Sequence, residues 1–115
     1  MQIKYIADVI NAQILAFDKG LEHEVVTAFG SDLMSDVLAY VEEDTLLITG
    51  LINQQVIRTA EMLDLKAILF VRGKMPCDEV IKLAEEKQIL LMTTRESLFT
   101  VSGILFQHGL RGIKI

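Results

Sequence analysis

The sequence has little of what marks a secreted, membrane-spanning or nucleic-acid-binding chain. Cys77 is the only cysteine among 115 residues, so no internal disulfide can form, and there is no C-x-x-C pair or Cys/His cluster. That usage fits a reducing compartment, and a cytoplasmic location is expected. No apolar run approaches the ~20 residues a spanning helix needs; runs such as Ala67–Val71 have strand length. Lys4 and Asp8 interrupt the apolar N-terminus, which argues against a cleavable signal. Clustered Lys and Arg are missing too. With 11 Lys+Arg against 16 Asp+Glu the net charge is −5 and the isoelectric point near 4.9. A phosphate backbone is repelled by that balance, so no nucleic acid partner is expected, and no membrane. Linkers and low-complexity segments are absent, and the expectation is one domain over residues 1–115.

What the chain does have is apolar residues. They make up 51% of it, and the mean hydropathy of +0.41 is high for a small monomer. The excess predicts a buried subunit face, and a homodimer is expected. Ile3–Ile10 has helical spacing with Asn11 as a stop. Gln13–Phe17 and Glu24–Phe29 read as strands joined through Asp18-Lys19-Gly20, a turn whose glycine can take positive φ, and a β-hairpin is expected. Ser31-Asp32 then offers N-cap side chains to a helix through Leu33, Met34, Val37, Leu38 and Val41.

From residue 45 one theme recurs three times. Thr45–Thr49, Lys66–Val71 and Gln88–Met92 are near-continuous apolar runs, each followed by a short loop and a helical pattern. Burial on both faces explains strands that do not alternate, and a parallel sheet covered by helices provides it. The fold class is therefore α/β: a parallel three-stranded βα repeat with strands at about 45–49, 66–71 and 88–92, preceded by the N-terminal helix and hairpin. Thr93 with Glu96 predicts a capping box for the last helix, and Gly109 predicts its C-terminal cap. The tail from Arg111 is free to pair with a sheet edge or with a neighbouring subunit.

Ligands of open α/β sheets bind outside the carboxyl ends of the strands. Those ends read Thr49-Gly50, Arg72-Gly73-Lys74 and Thr93-Thr94-Arg95, and each combines a hydroxyl or cation with the expected start of a helix. Such loops suit an anion, with a nucleotide or other phosphate-bearing metabolite as the natural ligand. Each residue also has an ordinary local use: glycine in turns, threonine in caps, loop cations in solvent. Ser35 and Asp36, with Asp32, exceed what capping requires; they are ligand partners or simply an exposed face. Catalytic patterns are missing. Gly73-Lys74 lacks the rest of a P-loop, no G-x-S-x-G occurs, and neither His23 nor His108 has a second metal ligand at usable spacing. Cys77, after Pro76 near a helix start, is either a thiol sensitised by the dipole or a small first-turn residue. No cofactor and no metal are expected.

The run Ser31-Asp32-Leu33-Met34-Ser35-Asp36-Val37-Leu38-Ala39, then Ile48-Thr49-Gly50, then Ala67–Gly73 with Pro76, resembles DRTGG-domain proteins. The similarity extends over nearly the whole chain, to Leu98–Leu110, and looks like a stand-alone version of the domain. Related domains occur in some phosphotransacetylases and in the regulatory region of some inorganic pyrophosphatases, and the HPr kinase N-terminal domain is similar in fold. The resemblance implies a regulatory or assembly role without catalysis by the domain itself. Two positions depart from the family pattern: Leu51-Ile52 follow Thr49-Gly50 where Asp-Arg is common, and Arg72-Gly73 stands in place of a glycine pair. The expected function is a non-enzymatic sensor of a small anionic metabolite; the alternative is an adaptor that docks another protein without a ligand.

Overall fold

The computed structural model describes residues 1–115. Its elements are α1 (Ile3–Val9), β1 (Gln13–Ala16), a 3-10 turn (Asp18–Glu22), β2 (Thr27–Gly30), α2 (Met34–Tyr40), β3 (Thr45–Thr49), α3 (Gln54–Met62), β4 (Ala67–Phe70), α4 (Asp78–Glu86), β5 (Leu90–Thr93), α5 (Leu98–Gln107) and β6 (Arg111–Gly112). The six strands form one sheet in the order β1-β5-β4-β3-β2-β6. The three repeated strands are adjacent and parallel, as their apolar continuity predicts, with Leu47 beside Ile68 and Ile68 beside Leu91. Only β1 runs antiparallel, against β5.

Side chains alternate across the sheet and so feed two cores. Leu46, Ile48, Leu69, Leu90 and Met92 face Ile3 and Ile6 of α1 and Val101 and Leu105 of α5. Leu47, Ile68, Phe70 and Leu91 face Met34 and Val37 of α2, Val56 and Ile57 of α3, and Val80 and Ala84 of α4. Helices α2, α3 and α4 thus cover one face, and α1 and α5 cover the other. The connection after β4 crosses to one side and the connection after β5 to the opposite side. That reversal is the topological switch point of the sheet.

The expected β-hairpin does not form. β1 lies at one edge and β2 pairs in parallel with β3, four strand positions away. The segment between them coils into the 3-10 turn, whose Gly20 does not adopt positive φ; Phe17 does, at 51°. The α2 crossover commits β2 to a parallel place beside β3, and β1 then closes the free side of β5. The tail behaves as expected of an edge-pairing segment, with Arg111-Gly112 beside Thr27-Ala28.

Four helices end in the same way. Asn11, Asp64, Gln88 and Gly109 take positive φ just past α1, α3, α4 and α5. In each case the next residue's amide reaches back to the last turn, as with Leu110 to the Leu105 carbonyl at 3.0 Å. These turns lead the chain into β1, β4, β5 and β6. No helix is long and apolar enough to cross a membrane.

Candidate functional site at the carboxyl edge of the sheet

The strand-end loops meet at one edge, in two groups. In the first, Asp32 leaves the β2–α2 loop and reaches across to the end of β3. Its Oδ1 accepts hydrogen bonds from the Thr49 hydroxyl at 2.8 Å and the Gly50 amide at 2.7 Å. Asp32 therefore ties two strand ends together and does not cap α2. The N-cap residue of that helix is Leu33, whose amide donates to Ser31 Oγ at 3.0 Å in a local turn. The Gly50 hydrogen bond, opposed by burial and helped by Thr49 and by the charges of Arg72 and Lys74, holds the Asp32 carboxyl below its ordinary range.

Arg72 and Gly73 turn the chain sharply out of β4. Both have positive φ, at 60° and 65°, and the Lys74 amide closes the turn on the Val71 carbonyl at 3.2 Å. Two left-handed residues in succession are the signature of a primed turn, which favours glycine at both places. Arginine in the first carries a steric cost of about 1–2 kcal/mol. Its guanidinium lies against Gly50: a Cβ at residue 50 would stand 2.5 Å from Nη2. Glycine at 50 is thus what lets the cation rest on the end of β3.

The second group surrounds the switch point. A cleft of about 370 Å³ opens between the ends of β4 and β5, lined by Gly73, Thr93, Thr94, Arg95 and Glu96, and by Asn11 and Gln13 from the other end of the chain. The two threonine hydroxyls are already engaged. Thr93 donates to the Lys74 carbonyl at 2.8 Å, and Thr94 to the Ile10 carbonyl at 2.9 Å. They hold the loop and the α1 end in place. The capping box expected at Thr93 and Glu96 is likewise not formed, because Thr93 is the last residue of β5. Ser97 caps α5 instead, accepting from the Thr100 amide at 3.2 Å.

A family model for the DRTGG domain matches residues 5–108. This chain belongs to the DRTGG-domain family. No curated protein matches it. Among solved structures it is similar to the CBS and DRTGG domains of the regulatory region of Clostridium perfringens pyrophosphatase, complexed with its activator diadenosine tetraphosphate. The TM-score is 0.78 at 19% identity, over 92% of this chain and 46% of that one. The chain therefore spans less than half of that regulatory region.

In this DRTGG domain the helices begin several residues beyond the strand-end residues expected to combine with them. α3 begins at Gln54 behind the Asn53 cap, α4 at Asp78 behind Cys77, and α5 at Leu98 behind Ser97. The first turn of α4 even carries Asp78 and Glu79. The cations at this edge are side chains, Arg72, Lys74 and Arg95, and Glu96 lines the cleft beside Arg95. The chain's ion pairs join the N-terminal amine to Glu24, and Arg58 and Lys87 to Glu61; none engages Arg72, Lys74 or Arg95. Ser35 and Asp36 lie exposed on the first turn of α2, with no hydrogen bond to the Asp32 group. Sequence reasoning missed Asn11 and Gln13 as lining residues. Their place follows from Gln13 pairing with Thr93, an antiparallel edge that no local pattern signals. No group of three or more metal-binding side chains converges anywhere in the chain.

Proposed function

We propose that this DRTGG domain is a non-catalytic regulatory module that binds a small phosphate-bearing metabolite at the carboxyl edge of its sheet. One observation carries the reading: three cations without ion-pair partners stand at this edge in a chain of net charge −5, Arg95 in the lining of the cleft and Arg72 and Lys74 on either side of Gly73, which also lines it. Cations gathered against the chain's overall sign focus a local positive field, and unpaired guanidinium groups are suited to phosphate oxygens. Arg72 contributes a planar fork, Lys74 a mobile charge, and the Gly50 and Gly73 backbones close approach. Thr49, Thr93, Thr94 and Asp32 set the loops in position rather than donate to the ligand. The nucleotide activator of the similar pyrophosphatase region makes diadenosine tetraphosphate a suitable first probe.

Calorimetry with inorganic phosphate, ATP and diadenosine tetraphosphate tests this. At least one should bind, and Arg72→Ala should weaken it by about 1.5–3 kcal/mol, the value of a charge-assisted hydrogen bond, while leaving the unfolding midpoint unchanged. Failure of all three probes, or affinity unchanged in both Arg72→Ala and Lys74→Ala, would overturn the reading. The adaptor reading would then lead. It is favoured by the exposed Phe99 and Phe106 on α5.

A further inference from the structure

The cleft at the switch point is lined by more than a cation. Glu96 lines it beside Arg95, Asn11 and Gln13 enter it from the junction of α1 and β1, and Met75 from the loop after β4. All of these residues are exposed, Met75 by 49%. The side-chain hydrogen bonds of the fold at this cleft come from Thr93 and Thr94, and neither engages the Asn11 or Gln13 carboxamide. No ion pair takes up the Glu96 carboxylate, although Arg95 is its neighbour in the chain. A bare phosphate is repelled by a carboxylate, so a plain anion site leaves Glu96 unexplained. Hydroxyl donors on the ligand would give it a use.

We propose that the ligand is a ribonucleotide, with its phosphates at the cations, its ribose diol on Glu96 and its base at the Asn11 and Gln13 carboxamides; this rests on the phosphate-binding reading above. An ionised carboxylate is an acceptor only, and at other sheet switch points acidic residues accept from ribose hydroxyls. A carboxamide holds a donor and an acceptor side by side, which matches the mixed edge of a nucleobase. Met75 adds polarizable apolar surface, and a thioether makes favourable contacts with aromatic rings. The cleft volume of about 370 Å³ falls within the range of small-molecule pockets, roughly 300–1,000 Å³.

The backbone sets these groups in order. The Arg72 amide donates to the Glu96 carbonyl at 2.9 Å, and the Gly73 amide to the Thr94 carbonyl at 2.8 Å. The residue assigned to the ribose is thus one hydrogen bond away from the turn that carries Arg72 and Lys74. On the other side of β5, Gln13 pairs with Thr93, and the Thr94 hydroxyl donates to the carbonyl of Ile10, which precedes Asn11. Neighbouring strands run β1-β5-β4 along this edge. They bring carboxamides from β1 and the turn before it, a carboxylate from the loop after β5 and cations from the loop after β4, over two strand spacings or about 10 Å. A nucleotide presents base, sugar and phosphate in the same sequence.

Calorimetry with ATP, 2′,3′-dideoxy-ATP and tripolyphosphate tests the assignment. The unaltered chain should bind ATP about tenfold or more tightly than either of the others, the lower end for a hydrogen bond to a charged group. Glu96→Ala should bind ATP and its dideoxy analogue alike, because the coupling between carboxylate and diol is gone. Its affinity for tripolyphosphate should stay the same or rise, since a repelling charge has been removed. Gln13→Ala should weaken ATP and leave tripolyphosphate unchanged. Both side chains are exposed, so both variants should unfold at the parent's midpoint. Tripolyphosphate bound as tightly as ATP, a preference for ATP over its dideoxy analogue kept in Glu96→Ala, or ATP affinity unchanged in Gln13→Ala would overturn the ribonucleotide assignment and leave the phosphate site standing. Binding of none of the three would overturn both.

Discussion

The amino and carboxyl edges of the sheet use their charges differently. At the amino edge, Lys87 at the end of α4 reaches Glu61 near the end of α3 at 2.9 Å, and Arg58 stands 3.7 Å from the same carboxylate. Lys87 chiefly holds the Glu61 carboxyl below its ordinary range, and the cations there link two neighbouring helices. At the carboxyl edge the carboxylate and the hydroxyls are spent on the fold, but Arg72, Lys74 and Arg95 are not. Asp32 joins the ends of β2 and β3, and Thr93 and Thr94 fix the β4 loop and the α1 end. Charges that complete a fold have partners within it. Those left over at a crevice, one of them on a left-handed backbone that glycine would occupy more cheaply, are explained better by something the fold does not contain.

The largest expected effect belongs to the fold-serving group. Asp32→Ala removes an acceptor shared by a hydroxyl and an amide. It should cost about 1–2 kcal/mol, the low end for hydrogen bonds to a charged group because the site faces water. Because the folded carboxyl titrates below its ordinary range, its contribution is complete above about pH 5 and fades as pH falls through that lowered value. Urea midpoints of parent and variant should therefore stay apart from pH 7 to about pH 5 and converge below about pH 4. A gap that widens on acidification would contradict the assignment.

A smaller effect, of opposite sign, is expected at the neighbouring cation. Arg72→Gly relieves the left-handed strain, partly offset by the freedom glycine gains in the unfolded chain. It should leave the domain as stable or up to about 1 kcal/mol more stable, while weakening anion binding as Arg72→Ala does. Loss of stability on thermal unfolding would mean that Arg72 serves the fold as Asp32 does, and the contrast between the two groups would fail.

The smallest effect is at the opposite edge. Glu61→Gln breaks an exposed pair and should lower the melting temperature only slightly, by an amount that salt removes. An effect as large as that of Asp32→Ala would break the comparison from the other side.

Much of the fold was legible because burial on both faces leaves a strong mark. Thr45–Thr49 was read to the residue, and the β4 and β5 strands to within a residue or two. The N-terminal strands were misjoined because two apolar runs around Asp18-Lys19-Gly20 look alike whether they pair with each other or with distant strands. Helix starts misled for a related reason. Asp32 and Thr93 are good cap residues locally, yet both were drawn off by strand ends, while Ser97 with Thr100 carried the true signal. Gly109 announced its turn, whereas Asn11, Asp64 and Gln88 make the same turn without glycine. At the site, Arg72, Gly73 and Lys74 were legible from the strand-end rule. The division of the hydroxyls from the cations was not, since it depends on carbonyls of Ile10 and Lys74 brought together only by the tertiary fold.

An NMR titration of the isotopically labelled chain with ATP and diadenosine tetraphosphate tests the central claim most directly. Saturable shifts are predicted for the amides of Gly50, Gly73, Lys74 and Arg95, saturating only at about tenfold or more higher ligand concentration in Arg72→Ala, with those of Glu61 and Lys87 unmoved. No saturable shift with either ligand, or shifts centred on Glu61 and Lys87, would contradict a phosphate-binding site at the carboxyl edge.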